Sequence, residues 1–242
     1  MSYHSLLLGL TALILAPLAG GIAAGLDRKL TARLQSRYGP PVTQPFYDVL
    51  KLFGKECQWV NIWAPFFALL YLFANAAALL LFVLGGDLLL LFFIMTLALS
   101  CLIIGALAAV SPYSRLGAER ELILALMYEP LLLSVFLGIA QAAGSFDIDL
   151  IQNAPGSIFL DFPLGFAALF LVFLIKLHKS PFDFTAAHHA HQELVQGILT
   201  EYAGPFLAVV EIGHWYEIVL LLRRIWIPGW LLVCANLAWM SV

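Results

Sequence analysis

The sequence predicts an all-α fold, a polytopic bundle of about seven transmembrane helices with one short amphipathic helix lying on the membrane surface. Three observations predict it. The chain is 62% hydrophobic and only 11% charged, with a mean hydropathy of +0.95, a composition that excludes an ordinary soluble domain and makes this an integral membrane protein. Its apolar residues gather into seven runs of about 20, the length a helix needs to cross a bilayer core. Ten of its twelve basic residues sit on alternate connections between those runs, the asymmetry that marks cytoplasmic loops.

The runs are 5–26, 62–84, 88–110, 121–143, 158–177, 204–222 and 226–242, the last one short and ending with the chain. They form a single membrane domain spanning 1–242. Gly85-Gly86-Asp87 and the stretch 144–157 connect runs without a Lys or Arg. The connection 27–61 carries Arg28, Lys29, Arg33, Arg37, Lys51 and Lys55, the connection 111–120 carries Arg115 and Arg120, and 178–203 is introduced by Lys176 and Lys179. These three are read as cytoplasmic, which puts the N-terminus outside. Arg223 and Arg224 fall on the other side, so either they meet another subunit or the sixth boundary lies elsewhere. Met1-Ser-Tyr-His lacks the basic start of a secretory signal, so the first run is expected to be a retained helix.

Within the first loop, 45–55 reads as an amphipathic helix with Phe46, Val49, Leu50 and Phe53 on one stripe and Asp48, Lys51 and Lys55 elsewhere. Gly21 and Gly25, four residues apart, allow another helix to approach the first span closely. Cys57, Cys101 and Cys234 form no CxxC pair, so neither a disulfide framework nor a metal cluster is indicated.

Glu129 lies eight residues past Glu121 in an otherwise apolar run, about 12 Å deeper at ~1.5 Å rise per residue. An ionisable group at that depth is functional by default, and a carboxyl there can hold and exchange a proton near neutral pH. Its neighbour Pro130 deprives the carbonyl of Leu126 of its helical partner. The segment 178–193 holds His178, His188, His189 and His191 with Asp183 and Glu193. As a helix it would put His188 and His191 on one face and His189 beside Glu193. No zinc-type spacing is present, so no metal site is expected. The histidines read either as proton buffers and relays or as a solvated, subunit-facing loop. Glu193 and Glu201, eight apart, would line one side of a helix. Glu211 and Glu217, with His214 between them, carry titratable groups into the sixth span.

Three runs of residues carry a resemblance: Asp27-Arg28-Lys29 with 32–40 and then Gln44-Pro45 to Lys55-Glu56; Gly117-Ala118 to Tyr128-Glu129; and Pro181-Phe182-Asp183 to Glu193-Leu194-Val195-Gln196-Gly197 to Thr200-Glu201-Tyr202-Ala203-Gly204. In order and spacing the chain resembles the first membrane subunit of respiratory complex I and its relatives in energy-converting, membrane-bound nickel-iron hydrogenases. The nine residues between Pro-Phe-Asp and Glu-Leu-Val, rich in histidine, look like the hydrogenase branch. The resemblance implies eight spans against the seven read here. It implies a non-catalytic anchor and coupling subunit in the plasma membrane that docks a hydrophilic arm and adjoins antiporter-like membrane subunits.

On that resemblance Glu129, Glu193 and Glu201 form an acidic coupling path, and the pattern of titratable residues adds Asp183 and Glu211 to the proton-coupling set. Arg28, Arg33, Arg37, Lys51, Lys55, Arg115, His188, His189 and His191 face the hydrophilic arm. No cofactor is expected on this subunit, since the nickel-iron site and iron–sulfur clusters belong to partner subunits. A quinone-site subunit of a complex I type enzyme is the alternative. A stand-alone ion transporter is a further one, against which the docking-type loops argue.

Overall fold

The computed structural model describes residues 3–56, 62–109, 111–152, 162–176 and 197–226. Their helices are α1 (Tyr3–Leu34), α2 (Gln44–Phe53), α3 (Trp63–Val83), α4 (Leu88–Leu107), α5 (Pro112–Ala143), α6 (Ile148–Gln152), α7 (Pro163–Lys176) and α8 (Pro205–Trp226). Five are long and apolar enough to cross a membrane, and α7 is a shorter apolar helix. Six of the seven expected spans therefore appear as helices. The seventh, 226–242, lies outside the described residues but for Trp226, which ends α8.

Helix ends depart from the expected boundaries for one physical reason. Apolar composition marks where lipid ends, whereas a helix stops only where its backbone is broken or capped. α1 runs past its apolar stretch to Leu34. The connection 111–120 is no loop, because α5 begins at Pro112 behind an extended Ser111 and carries Arg115 and Arg120 on its first turns. At its far end α5 stops at Gly144, whose φ of 74° is the left-handed conformation glycine accepts without strain. α4 starts sharply because the Asp87 carboxylate accepts from the amides of Leu89 at 2.7 Å and Leu90 at 3.3 Å.

α3 occupies the middle of the bundle and packs on α4, α8 and α1, while α5 bridges α4 and α7. The largest buried cluster joins Leu79 and Phe82 of α3, Leu91 of α4, Phe136 of α5, Val172 of α7 and Leu220 of α8. At one end of the bundle two turns are stitched together: the Leu88 amide donates to the Phe146 carbonyl at 2.9 Å, and that of Ile148 to Gly86 at 3.0 Å. That end carries Asp87, Asp147 and Asp149. At the other end Gly117 abuts Gly197, and Gly204 lies against the Glu56 carbonyl. Arg28, Lys29, Arg33, Arg37, Lys51, Lys55, Arg115 and Arg120 are all exposed. Basic connections and acidic turns are thus segregated to opposite ends, as the loop charges predict.

The glycine pair of α1 meets the expectation at Gly21, which admits helix α2, and departs from it at Gly25. Gly21 receives the Phe46 ring of α2, and Gly25 receives the carbonyl of Val42. A second close approach is made at Gly20, where a Cβ would run into the Trp215 backbone of α8. α2 also corrects its predicted stripe. Pro45 and Val49 are buried, with Phe46 and Leu52 partly so, and Phe46 stacks edge-on against Trp215 at 5.1 Å. Leu50 and Phe53 are exposed with Tyr47 on a second apolar stripe. Arg28 pins this helix to α1 through Asp48 at 2.8 Å, with Gln44 donating to the other carboxylate oxygen at 3.0 Å.

The end assignment makes a labelling prediction. In a chain whose native cysteines are replaced, cysteines at Arg37 and Arg115 are expected to resist a membrane-impermeant maleimide applied outside, and one at Asp147 to react. Reaction of the first two with protection of the third would invert the topology.

Candidate functional site

Ionisable residues cluster in the middle of the bundle. Tyr71 lies eight residues into α3, and Glu217 twelve residues into α8, about 18 Å along that helix. The Lys176 ammonium of α7 meets Glu217 Oε1 at 2.7 Å, and the two side chains are 5% and 15% exposed. The Tyr71 hydroxyl donates to Glu217 Oε2 at 3.1 Å, and His214 Nδ1 lies 3.7 Å from the same oxygen. Asn75, one turn beyond Tyr71, donates its amide to the Tyr71 carbonyl at 3.1 Å. Glu217 is therefore a carboxylate served from three helices.

The cluster extends to both sides. Lys176 also sits over the Tyr128 ring, 5.9 Å from its centre, a cation–π contact that holds the ammonium on the α5 side. Glu129, half-buried on α5, is within electrostatic reach of Lys176. Glu121, two turns earlier, is buried and interacts electrostatically with Tyr128. On the other side Glu211 is half-buried one turn before His214 and acts on both His214 and Tyr71. The described groups run Glu121, Tyr128, Glu129, Lys176, Glu217, Tyr71, His214, Glu211. Burial of so many ionisable groups is costly unless each is paired, and pairing across α3, α5, α7 and α8 keeps those helices in register.

Of the predicted coupling residues, Glu129 and Glu211 belong to this cluster. Asp183, Glu193, His188, His189 and His191 lie outside the described residues. Glu201 is half-buried in a turn segment, 197–204, rather than on a helix, because Gly204 at φ 55° ends the segment in a left-handed conformation. Its neighbour Tyr202 is the anchor of that run. Its hydroxyl reaches the Leu102 carbonyl at 3.4 Å beside Gly105, and burial raises its proton affinity well above that of an ordinary phenol. Pro130 and Leu126 are both exposed on α5.

Lys176 is a second correction. Counted by sequence among the cytoplasmic loop cations, it is a buried partner of Glu217. A lone Lys at the end of one apolar run and a lone Glu within another are the signal that could have paired them, because unpaired charges inside a membrane are disfavoured. Of the predicted docking cations, Arg28 is held by Asp48, and Arg33 lies 5.4 Å over the Tyr38 ring. Among the described residues no group of three or more His, Cys, Asp and Glu side chains gathers as a metal site.

Fold and buried charges together define a polytopic helical membrane protein built around an internal chain of ionisable groups. It belongs to the NADH dehydrogenase family, whose pattern matches residues 7–242. Formate hydrogenlyase subunit 4 of Escherichia coli K12 is 32% identical over 226 residues, covering 87% of this chain and 71% of that protein. An NADH-quinone oxidoreductase subunit of Syntrophotalea carbinolica is 28% identical over 237 residues, covering 84% and 71%. A chain in the structure of the membrane-bound sulfane sulfur reductase, an archaeal respiratory membrane complex, superposes with a TM-score of 0.80 at 28% identity, covering 90% of this chain and 76% of that one.

Proposed function

We propose that this chain is the membrane-anchor and coupling subunit of a multisubunit energy-converting redox complex, most closely of the membrane-bound nickel-iron hydrogenase type. The observation that carries the reading is the largely buried ion-pair network around Glu217 and Lys176. A membrane anchor alone has no use for titratable groups held inside the helix bundle, whereas conversion of redox energy into an ion gradient requires them. The basic end, with Arg33, Arg37, Lys51, Lys55 and Arg115 exposed, supplies the surface on which a hydrophilic arm docks from the cytoplasm. In this reading the complex sits in the plasma membrane, with the N-terminus of this chain outside. The nickel-iron site and iron–sulfur clusters belong to the docked subunits, and antiporter-like membrane subunits lie alongside.

Similarity to a hydrogenlyase subunit and the histidine-rich 184–192 segment support the hydrogenase assignment. Similarity to an NADH-quinone oxidoreductase subunit supports the second reading, in which the same subunit borders a quinone site. The purified complex separates them. Hydrogen evolution from a reduced low-potential donor, with no quinone reduction, is the expected result. Quinone reduction without hydrogen formation would replace the first reading with the second, and isolation of the chain without any redox subunit would overturn both.

A further inference from the structure

Lys176 is bonded to an acid of α8 and rests on the α5 ring that precedes a second acid, and this geometry points to a device that neither acid provides alone. It bonds Glu217 of α8 at 2.7 Å, yet it lies on the Tyr128 ring of α5, one residue from Glu129, and within electrostatic reach of that carboxyl. Four flexible methylenes carry the ammonium, so its passage between partners does not require a helix to move. We propose that Lys176 is a cation shared in alternation by Glu217 and Glu129, and that its transfer from one to the other moves one proton across the bundle.

The two states balance. In the first state Glu217 is a carboxylate paired with the Lys176 ammonium, the contact present in this structure, and Glu129 holds its proton. In the other state Glu217 has accepted a proton, and Lys176, still an ammonium, pairs with the carboxylate left when Glu129 releases one. Both states contain one ammonium, one carboxylate and one neutral carboxyl, so the buried net charge does not change. That constancy matters, because an extra unpaired charge at this depth costs several kcal/mol. Proton movement is thereby tied to the position of the ammonium, and a bias on either acid shifts the equilibrium between the two states.

The surroundings give the exchange a direction. Tyr71 of α3 and His214 of α8 both address Glu217 Oε2, leaving Oε1 to Lys176. His214 is 37% exposed, the most open member of the set around Glu217, and Glu211 lies beyond it. On the α5 side the facing groups are Tyr128, Glu129 and the buried Glu121. A proton released from Glu217 thus passes to His214 and Glu211, while Glu129 is refilled from the α5 side.

This inference rests on the coupling role proposed above, and its test can fail separately. The assembled complex in vesicles is assayed for ions moved per electron, and by redox-difference infrared spectroscopy for carboxyl C=O absorption. The wild-type complex is expected to show a paired gain and loss of carboxyl absorption, one lobe removed by Glu217→Gln and the other by Glu129→Gln. Glu217→Gln, close in size and still able to accept from Lys176, is expected to lower ions per electron by about tenfold or more. The neutral Lys176→Met/Glu217→Gln variant should do the same.

Retention of the wild-type ratio by Glu217→Gln, while Glu129→Gln loses it, sinks the shared cation and leaves the coupling role standing. Wild-type ratios in both variants sink the coupling role itself. If the Glu217 variants do not assemble, the wild-type spectrum decides alone, since absence of a paired carboxyl signal overturns the proposal.

Discussion

Replacing Glu129 with glutamine is expected to leave the complex assembled but to reduce ion translocation per electron by about tenfold or more, the scale on which removing a positioned proton-transfer group acts. Glutamine preserves the size and hydrogen-bonding capacity of the side chain and removes only its exchangeable carboxyl proton. Glu129 is half-buried rather than sealed, so the amide finds partners and the packing of Tyr128 beside it is not disturbed. Assembly is read from subunit stoichiometry and coupling from the gradient formed in vesicles at measured redox turnover. An unchanged ratio of ions to electrons would make Glu129 a structural acid.

The second large effect is on stability. Lys176→Met removes the cation from a carboxylate that is 15% exposed, and breaking a buried pair by deleting one partner typically costs about 3–5 kcal/mol. Tyr71 and His214 still address Glu217, but a phenol and an imidazole do not replace a bonded ammonium. Neutralising both residues, as in Lys176→Met/Glu217→Gln, should recover most of the loss, because no unpaired charge remains. Unfolding in mixed micelles titrated with SDS gives the two values. If the single variant costs less than about 1 kcal/mol, the range of solvated surface pairs, the site is wet and the pair contributes little.

The spans were legible because hydrophobic length is a local property of the sequence. Trp63–Val83 and Leu88–Leu107 fall within a few residues of their expected limits for that reason. Helix ends were less legible, since nothing in the lipid-facing composition announces that α5 starts at Pro112. The ion pair was illegible for a different reason. Lys176 and Glu217 are 41 residues apart, and only the packing of α7 and α8 around α3 and α5 brings them together. A charge rule that assigns each lysine near a span end to a loop has no access to that packing. Glu129 could be singled out because it is conspicuous alone. Tyr71 and Asn75 could not, because a phenol and an amide inside an apolar helix look like ordinary core residues until their partners are known.

The contact between the first and last described helices has a consequence for how the chain is made. The Tyr216 hydroxyl donates to the Leu13 carbonyl at 2.8 Å, a bond between residues 203 apart, and Gly20 receives the Trp215 backbone nearby. During N-to-C synthesis α1 therefore enters the bilayer long before its partner exists, and it can wait there because its spanning part is uniformly apolar. α8 has no such freedom. With Glu211, His214 and Glu217 on one helix, it carries a desolvation cost that its packing on α1, α2 and α3 offsets. Lys176 is the counter-charge that Glu217 meets when α8, the last described helix, packs into the bundle.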